Sequence, residues 1–370
     1  DEGGGHLYGR ALEMNENLFE VLRAFRLDTK PVSCEPYGCG HINVTYLAVT
    51  ESGRRYILQK INNNTFRDVA GLRENITAVT EFLRTKTDDP RSVLTLVKTH
   101  DGASYLHAQD AYWRVYDFVE DSICLQLPET DEDFYQSAVG FGTFQQLLTD
   151  FPAAKLHETI PNFHNMEFRL KQLRDAVATN AAGRVAEVQY YLDEIEKRAD
   201  EMCKAERLYR EGKLPKRVCH CDTKVNNMMF DEDGKVLCVI DLDTVMPSFI
   251  FSDYGDFLRT GANTGDEDDK DLDRVNFNME IFKAFTKGYL EGAKSFLTPI
   301  EIENLPYAAA LFPYMQCVRF LADYINGDTY YKIKYPEHNL IRTKAQFKLL
   351  QSVEEHTPEM VAFINECLKK

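Results

Sequence analysis

No apolar run in this sequence approaches the roughly 18 residues that span a bilayer. Residues Asp1 to Arg10 also lack the basic-then-apolar order of a secretion signal. The expectation is a cytoplasmic protein with no membrane partner. A basic surplus is missing too: 43 Lys and Arg stand against 59 Asp and Glu, a formal charge of -16. Tracking a phosphate backbone needs clustered cations, so nucleic acid is not the expected partner. Nothing points to an obligate protein partner. The nine cysteines are odd in number and scattered, which reads as reduced thiols rather than a disulfide framework. Cys219-His220-Cys221 has no second cysteine pair to complete a zinc site, and alternate residues of a strand point to opposite sides. Internal repeats and low-complexity linkers are absent, and the sequons at Asn43, Asn63 and Asn75 are discounted in a cytoplasmic chain.

What remains is a chain of 370 residues with 44% hydrophobic content, enough for a substantial core in one large domain or two lobes. Residues 1–16 read as an extension outside the fold. From Asn17 to Phe25 apolar residues recur at helical spacing, and after Pro31 the period changes to two. Strands are expected at 32–37, 43–49, 55–61, 93–99, 104–108 and 112–119, with Gly38-Cys39-Gly40, Glu51-Ser52-Gly53 and Asp101-Gly102 as turns. One helix, 68–85, interrupts them, with Val69, Leu72, Ile76, Val79 and Leu83 on one face. Beyond Pro128 the pattern is helical at 131–148, 164–178, 187–209, 279–294, 299–325 and 343–355. A single hairpin, 227–230 with 235–240, is embedded there. The acidic stretch 266–273 reads as a solvated loop. The expected class is α+β: a β-rich lobe over 17–120 with one main helix, then a mostly helical lobe over 121–370.

Chemistry concentrates in His220-Cys221-Asp222-Thr223-Lys224-Val225-Asn226-Asn227 and in Asp241, at the end of the second hairpin strand. Phosphoryl transfer needs an acceptor hydroxyl held in line, a group to take its proton, and cations on the phosphates. Asp222 suits the first two tasks as catalytic base. The amide oxygen of Asn227 and the carboxylate of Asp241 suit magnesium, a hard cation that prefers oxygen.

The spacing His220-x-Asp222-x-Lys224-x-x-Asn227 with a later strand-end Asp241 resembles the catalytic and metal loops of protein kinases and of the aminoglycoside and choline kinase-like superfamily. That resemblance implies a protein-kinase-like two-lobe fold, ATP as co-substrate and Mg2+ as cofactor. It gives Lys224 a place against the transferring phosphoryl group, His220 a supporting role in the loop, and Asp243 a supporting carboxylate. It also places Gly38, Gly40 and His41 over the phosphates and the backbone of Phe118, Val119 and Glu120 at the adenine edge. The family's cation on the third strand aligns with Gln59, a departure, and its usual glutamate partner aligns nearer Asn75 than Glu74, while Lys60 sits one residue on and should face the other way. Two readings stay open: a neutral Gln59 and Asn75 pair replaces the family's ion pair, or a strand bulge brings Lys60 inward.

Over Tyr37–Asn43, Arg55–Gln59, Asp222–Asn227, Ile240–Asp243, Val318–Tyr324 and Tyr335–Thr343 the chain looks like the bacterial N-acetylhexosamine 1-kinases. Those enzymes phosphorylate the anomeric hydroxyl of N-acetylglucosamine or N-acetylgalactosamine. The resemblance implies a sugar acceptor touched by Asp222 and held by Asp256, Arg319 and Tyr330. Two alternatives remain open. One is a kinase of choline, a homoserine-like alcohol or an aminoglycoside, and the other is a nucleotide-binding pseudokinase scaffold.

Overall fold

The computed structural model describes residues 15–38 and 43–370. A helix at 15–23 (α1) sets Leu18, Val21 and Leu22 at helical spacing against a sheet, and Phe25 follows them into the same core. The sheet is antiparallel in the order β1 (Pro31–Pro36), β2 (Val44–Thr50), β3 (Arg55–Lys60), then β6 (Ala111–Asp117) and β4 (Leu96–Val97), with β5 (Leu106–Ala108) also paired to β6. Ala48, Leu58 and Val115 fall on its buried face. Between β3 and β4 runs α2 (Val69–Arg84), capped by Asp68, whose carboxylate accepts the N–H of Gly71 at 2.9 Å. The strand expected over 93–99 shrinks to two residues. Pro90 opens a short 3-10 turn just before it, whose cap, Asp89, accepts the N–H of Arg91, and Val93 leaves that turn in extended geometry, so what is lost is ladder pairing, which with β6 covers only Leu96 and Val97.

The remaining chain holds β7 (Ile123–Cys124), α3 (Asp131–Leu147), α4 (Met166–Thr179), α5 (Gln189–Met202) and α6 (Lys204–Arg210). Short strands β8 (Arg217–Cys219), β9 (Met228–Phe230), β10 (Val236–Val239) and β11 (Met246–Ser248) precede α7 (Phe251–Gly261). Then follow α8 (Met279–Ala293), α9 (Pro299–Glu303), α10 (Leu305–Ile325) and α11 (His338–Leu368). α3 starts with a reciprocal cap between Thr130 and Asp133. α10 is buried over nearly its whole length, as its near-continuous apolar run demands, and packs against α4, α7 and α11.

Two expected helices break. The 187–209 run divides at Cys203, and the 299–325 run divides at Asn304, where Pro306 belongs in a first turn rather than a helix interior. The 343–355 helix extends to 338–368. α7, β8 and β11 lie outside the elements expected from the sequence. The chain forms two compact units, one of the described residues up to Ile123 with Leu237–Asp243, the other of Cys124–Val236 with Thr244–Lys370. The segment carrying Asp241 and Asp243 thus packs with the sheet-bearing unit, although the sequence reading leaves it in the second lobe.

Candidate active site

In the helical unit, β8 pairs with β11 and hands the chain to the loop His220–Asn227, which closes in a 3-10 turn at Val225–Asn227. α7 braces this loop. Asp253, only 1% exposed, accepts the N–H of His220 at 3.0 Å, the N–H of Cys221 at 2.8 Å and the Gln145 amide at 2.9 Å. The Tyr289 hydroxyl donates to the Gln145 carbonyl oxygen at 2.6 Å, and the Thr223 hydroxyl donates to the Asp253 main-chain carbonyl at 2.9 Å. Burial raises the Asp253 pKa, opposed by His220 and by these donors. His220 is fully buried against the edges of Phe141 and Phe144. Its Nδ1 accepts the N–H of Asp222 at 3.2 Å, and its carbonyl accepts the Thr244 hydroxyl at 2.7 Å.

Cys221 adopts φ +67° immediately before Asp222, a left-handed conformation that an L side chain keeps only where its surroundings impose it. Cys219 and Cys221 are buried with Met246, Ile160 and Phe163, and burial pushes both thiols well up from their ordinary pKa. Beyond them the expected catalytic residues come together. The Asn227 amide nitrogen donates to the Asp222 carbonyl at 2.7 Å and to its carboxylate at 3.2 Å, while the Lys224 ammonium lies 3.5 Å from that carboxylate. Burial opposes the Lys224 charge, but Asp222 and then Asp256 outweigh it and its pKa is raised. Asp256 pairs with Arg259 at 3.0 Å, and Arg259 also binds Glu267. Next to them His164 is neutral: burial draws its pKa down to about 3 against the pull of Asp256, and its Nδ1 lies 2.9 Å from the Ser252 hydroxyl.

Arg319 and Tyr330 line a cavity of about 410 Å³ with Arg169, Gln172, Asp323 and Tyr331. Asp256 is outside its lining. Asp323 does not take up Arg319; it accepts the N–H groups of Tyr330 and Tyr331 and the Asn339 amide. Arg319 lies instead near the rings of Phe163 and Tyr331, at 5.9 and 5.7 Å from their centroids, with a 3.5 Å hydrogen bond to Gln316. Tyr330 is 71% exposed, so it is not a core residue.

The sheet-bearing unit holds the other expected residues. Gly38 takes φ +75°, whereas Gly40 and His41 lie outside the described residues. β3 pairs in unbroken register with β2 and β6, so Gln59 and Lys60 face opposite ways. Lys60 is exposed, 5.9 Å from the Trp113 ring centroid. Gln59 accepts the Arg114 Nε–H at 2.9 Å and donates to the Thr45 hydroxyl at 3.2 Å. Arg114, a residue the sequence reading did not single out, grips Asp243 through both terminal nitrogens at 2.5 and 2.7 Å, and Asn43 donates to the same carboxylate at 2.6 Å. Its signal in the sequence is an arginine inside an otherwise apolar strand. Burial opposes the Arg114 charge, and Asp243 holds it on, with Tyr116 and Asp241 adding to the pull. Asp241, two residues before Asp243, sits at φ +56°. The ladder of β6 ends at Asp117, leaving the backbone of Phe118, Val119 and Glu120 beyond it. There the Phe118 ring lies under the Arg55 guanidinium, which is ion-paired with Glu120.

Solved structures share this architecture. An aminoglycoside phosphotransferase from Alicyclobacillus acidocaldarius aligns with 94% of this chain and 96% of its own at 14% identity, with a TM-score of 0.64. A spectinomycin phosphotransferase in complex with ADP and spectinomycin aligns with 93% of this chain and 98% of its own at 13% identity and 0.58. A choline kinase from Cryptosporidium parvum aligns with 96% and 99% at 11% identity and 0.57. At such identities the likeness establishes the fold: a β-sheet region followed by a helical region, as in APH-type kinases. The sequence profile of the phosphotransferase enzyme family, APH, matches residues 33–285, more than half of the chain and a stretch that runs from within β1 past Asp222, Asn227 and Asp241. The chain therefore belongs to the APH phosphotransferase enzyme family.

Proposed function

We propose that this phosphotransferase moves the γ-phosphoryl group of ATP to the anomeric hydroxyl of an N-acetylhexosamine, releasing the sugar 1-phosphate and ADP. The observation that carries the reading is the His220–Asn227 loop, in which Lys224 and Asn227 each come within 3.5 Å of the Asp222 carboxylate on a backbone braced by Asp253. In the reaction the sugar oxygen bonds to the γ-phosphorus as the bridge to the β-phosphate breaks, and Asp222 accepts the hydroxyl proton. An anomeric hydroxyl is more acidic than an ordinary alcohol, so positioning outweighs basicity. Lys224, kept cationic by Asp222 and Asp256, stabilises charge on the phosphoryl group in flight.

Magnesium fits the donors offered. The Asn227 nitrogen is committed to Asp222, which leaves its amide oxygen as the metal-facing atom, and Asp241 adds a carboxylate. The ion would neutralise the phosphates; Asn227 and Asp241 would hold it. ATP as the donor is supported by the ADP bound to the spectinomycin enzyme. Gly38, Gly40, His41, Gln59 or Lys60, and the backbone of Phe118–Glu120 are the proposed nucleotide contacts. Arg319 and Tyr330 supply the charged fork and aromatic face that sugars favour, and Asp256 completes the proposed acceptor set. The sugar itself rests on the resemblance over Tyr335–Thr343 and the other matching stretches. Among the described residues no helix is long and apolar enough to cross a membrane, and a cytoplasmic location remains part of the proposal.

ADP release should be followed with N-acetylglucosamine, N-acetylgalactosamine, choline and kanamycin, with and without magnesium. Magnesium-dependent release with the two sugars, and a raised KM or lowered kcat for sugar in Arg319→Ala at unchanged ATP binding, are expected. Preferential turnover of choline or kanamycin would replace the acceptor. Absence of ADP release with any alcohol would favour a non-catalytic scaffold.

A further inference from the structure

Apart from the nucleotide contact proposed for Gln59 or Lys60, the hydrogen-bonded row that ends on Asp243 has no part in the reaction as described. Thr45, Gln59 and Arg114 stand directly opposite one another on β2, β3 and β6, and each is bonded to the next. The two remaining Arg114 nitrogens close on Asp243, with side chains 5% and 2% exposed. Asn43, just before β2, adds a third donor and is itself fixed by the N–H of Asn62 at 2.8 Å. The sheet thus holds Asp243 from several strands. Stability alone gives no reason for this pair, because packed apolar side chains of similar volume often serve a core as well as a buried ion pair does. A planar two-pronged guanidinium supplies direction.

What it directs is close by in the chain. Leu242 alone separates Asp243 from Asp241, so the two Cα atoms are no more than about 7 Å apart. Leu242 also begins the 3-10 turn Leu242–Thr244. Asp241 holds its left-handed backbone, φ +56°, which persists only where neighbouring structure over-determines it. We infer that Arg114 is a positioning residue for Asp241: by fixing Asp243 it sets the direction of the Asp241 carboxylate toward nucleotide-bound magnesium, and it replaces, from β6, the cation that Gln59 displaces on β3. This rests on the reading of Asp241 as a magnesium ligand.

The test is calorimetric binding of a non-hydrolysable ATP analogue with and without magnesium. The proteins compared are the natural chain, the Arg114→Met/Asp243→Leu double variant, Arg114→Lys and Asp241→Ala. The double variant removes both charges together, so no buried charge is orphaned. It should bind the metal-free analogue normally yet lose about tenfold or more of the affinity that magnesium adds, the usual cost of disturbing a group behind a metal ligand. Arg114→Lys, with charge but no fork, should fall between. Should the double variant not fold, Asn43→Leu removes one donor to Asp243 and should weaken the magnesium effect in the same direction. If Asp241→Ala loses the magnesium effect while the double variant, or Asn43→Leu in its place, keeps it, the positioning role is overturned. If Asp241→Ala keeps it, the magnesium assignment itself is what fails.

Discussion

Replacing Asp253 tests the brace beneath the catalytic loop. In Asp253→Ala three buried donors, the N–H groups of His220 and Cys221 and the Gln145 amide, lose their acceptor at once. Each unpaired buried donor costs about 1–3 kcal/mol, so roughly 3–9 kcal/mol of stability should go, a large share of the roughly 5–15 kcal/mol that holds a domain folded. Asp253→Asn keeps the shape but sets an NH2 against one of these donors, and should cost about 2–4 kcal/mol on the same scale. Urea denaturation followed by circular dichroism gives both values. The kcat should fall as well, since a misplacement of about 1 Å at the reacting groups costs on the order of a hundredfold. A pH dependence follows from the raised pKa of this buried carboxyl. The folded site binds its proton more tightly than the unfolded chain does. Its contribution is therefore complete below the unfolded carboxylate value, about 4, and is lost as pH rises through the folded value. The stability gap between the natural chain and Asp253→Asn should accordingly narrow as pH rises from about 4. A loss under about 1 kcal/mol in Asp253→Ala with unchanged kcat would refute the bracing role.

Two further substitutions probe neighbouring parts of the same unit. Asp222→Asn should lower kcat by about 10²–10⁴-fold, the usual worth of a positioned base, with analogue binding by calorimetry retained; a near-normal rate would remove Asp222 from that role. Gly255→Ala would drive a methyl group into the Ala308 carbonyl and the Phe312 ring where α7 meets α10, and overpacking of this kind costs about 1–3 kcal/mol. A melting temperature equal to that of the natural chain would argue that the two helices do not approach so closely.

The order of strands and helices was legible because period-two and helical patterns change sharply at Pro31 and Pro128. The Asp222–Lys224–Asn227 cluster was legible because its members lie within six residues, so one tight loop brings them together. α7 escaped notice for a physical reason: its buried side carries Asp253 and Gly255, which interrupt the apolar stripe formed by Phe251, Tyr254, Phe257 and Leu258. Arg114 escaped because its partner is 129 residues away in sequence, and periodicity says nothing about pairings of that range. Lys60 is a different case: strand alternation set it opposite to Gln59 but left a bulge open that would turn it inward, and only the unbroken register of β3 removes that bulge.

α10 serves two masters along its length. Near Ala308 and Phe312 it seats the glycine of α7; at Arg319, Ala322 and Asp323 it walls the cavity proposed for the acceptor. Eleven residues of helix, roughly 16 Å at 1.5 Å per residue, separate Ala308 from Arg319. If the cavity takes the acceptor as proposed, its preference would be redrawn by exchanging side chains toward the far end of α10, beyond Pro313, while the stretch that seats α7 is left untouched.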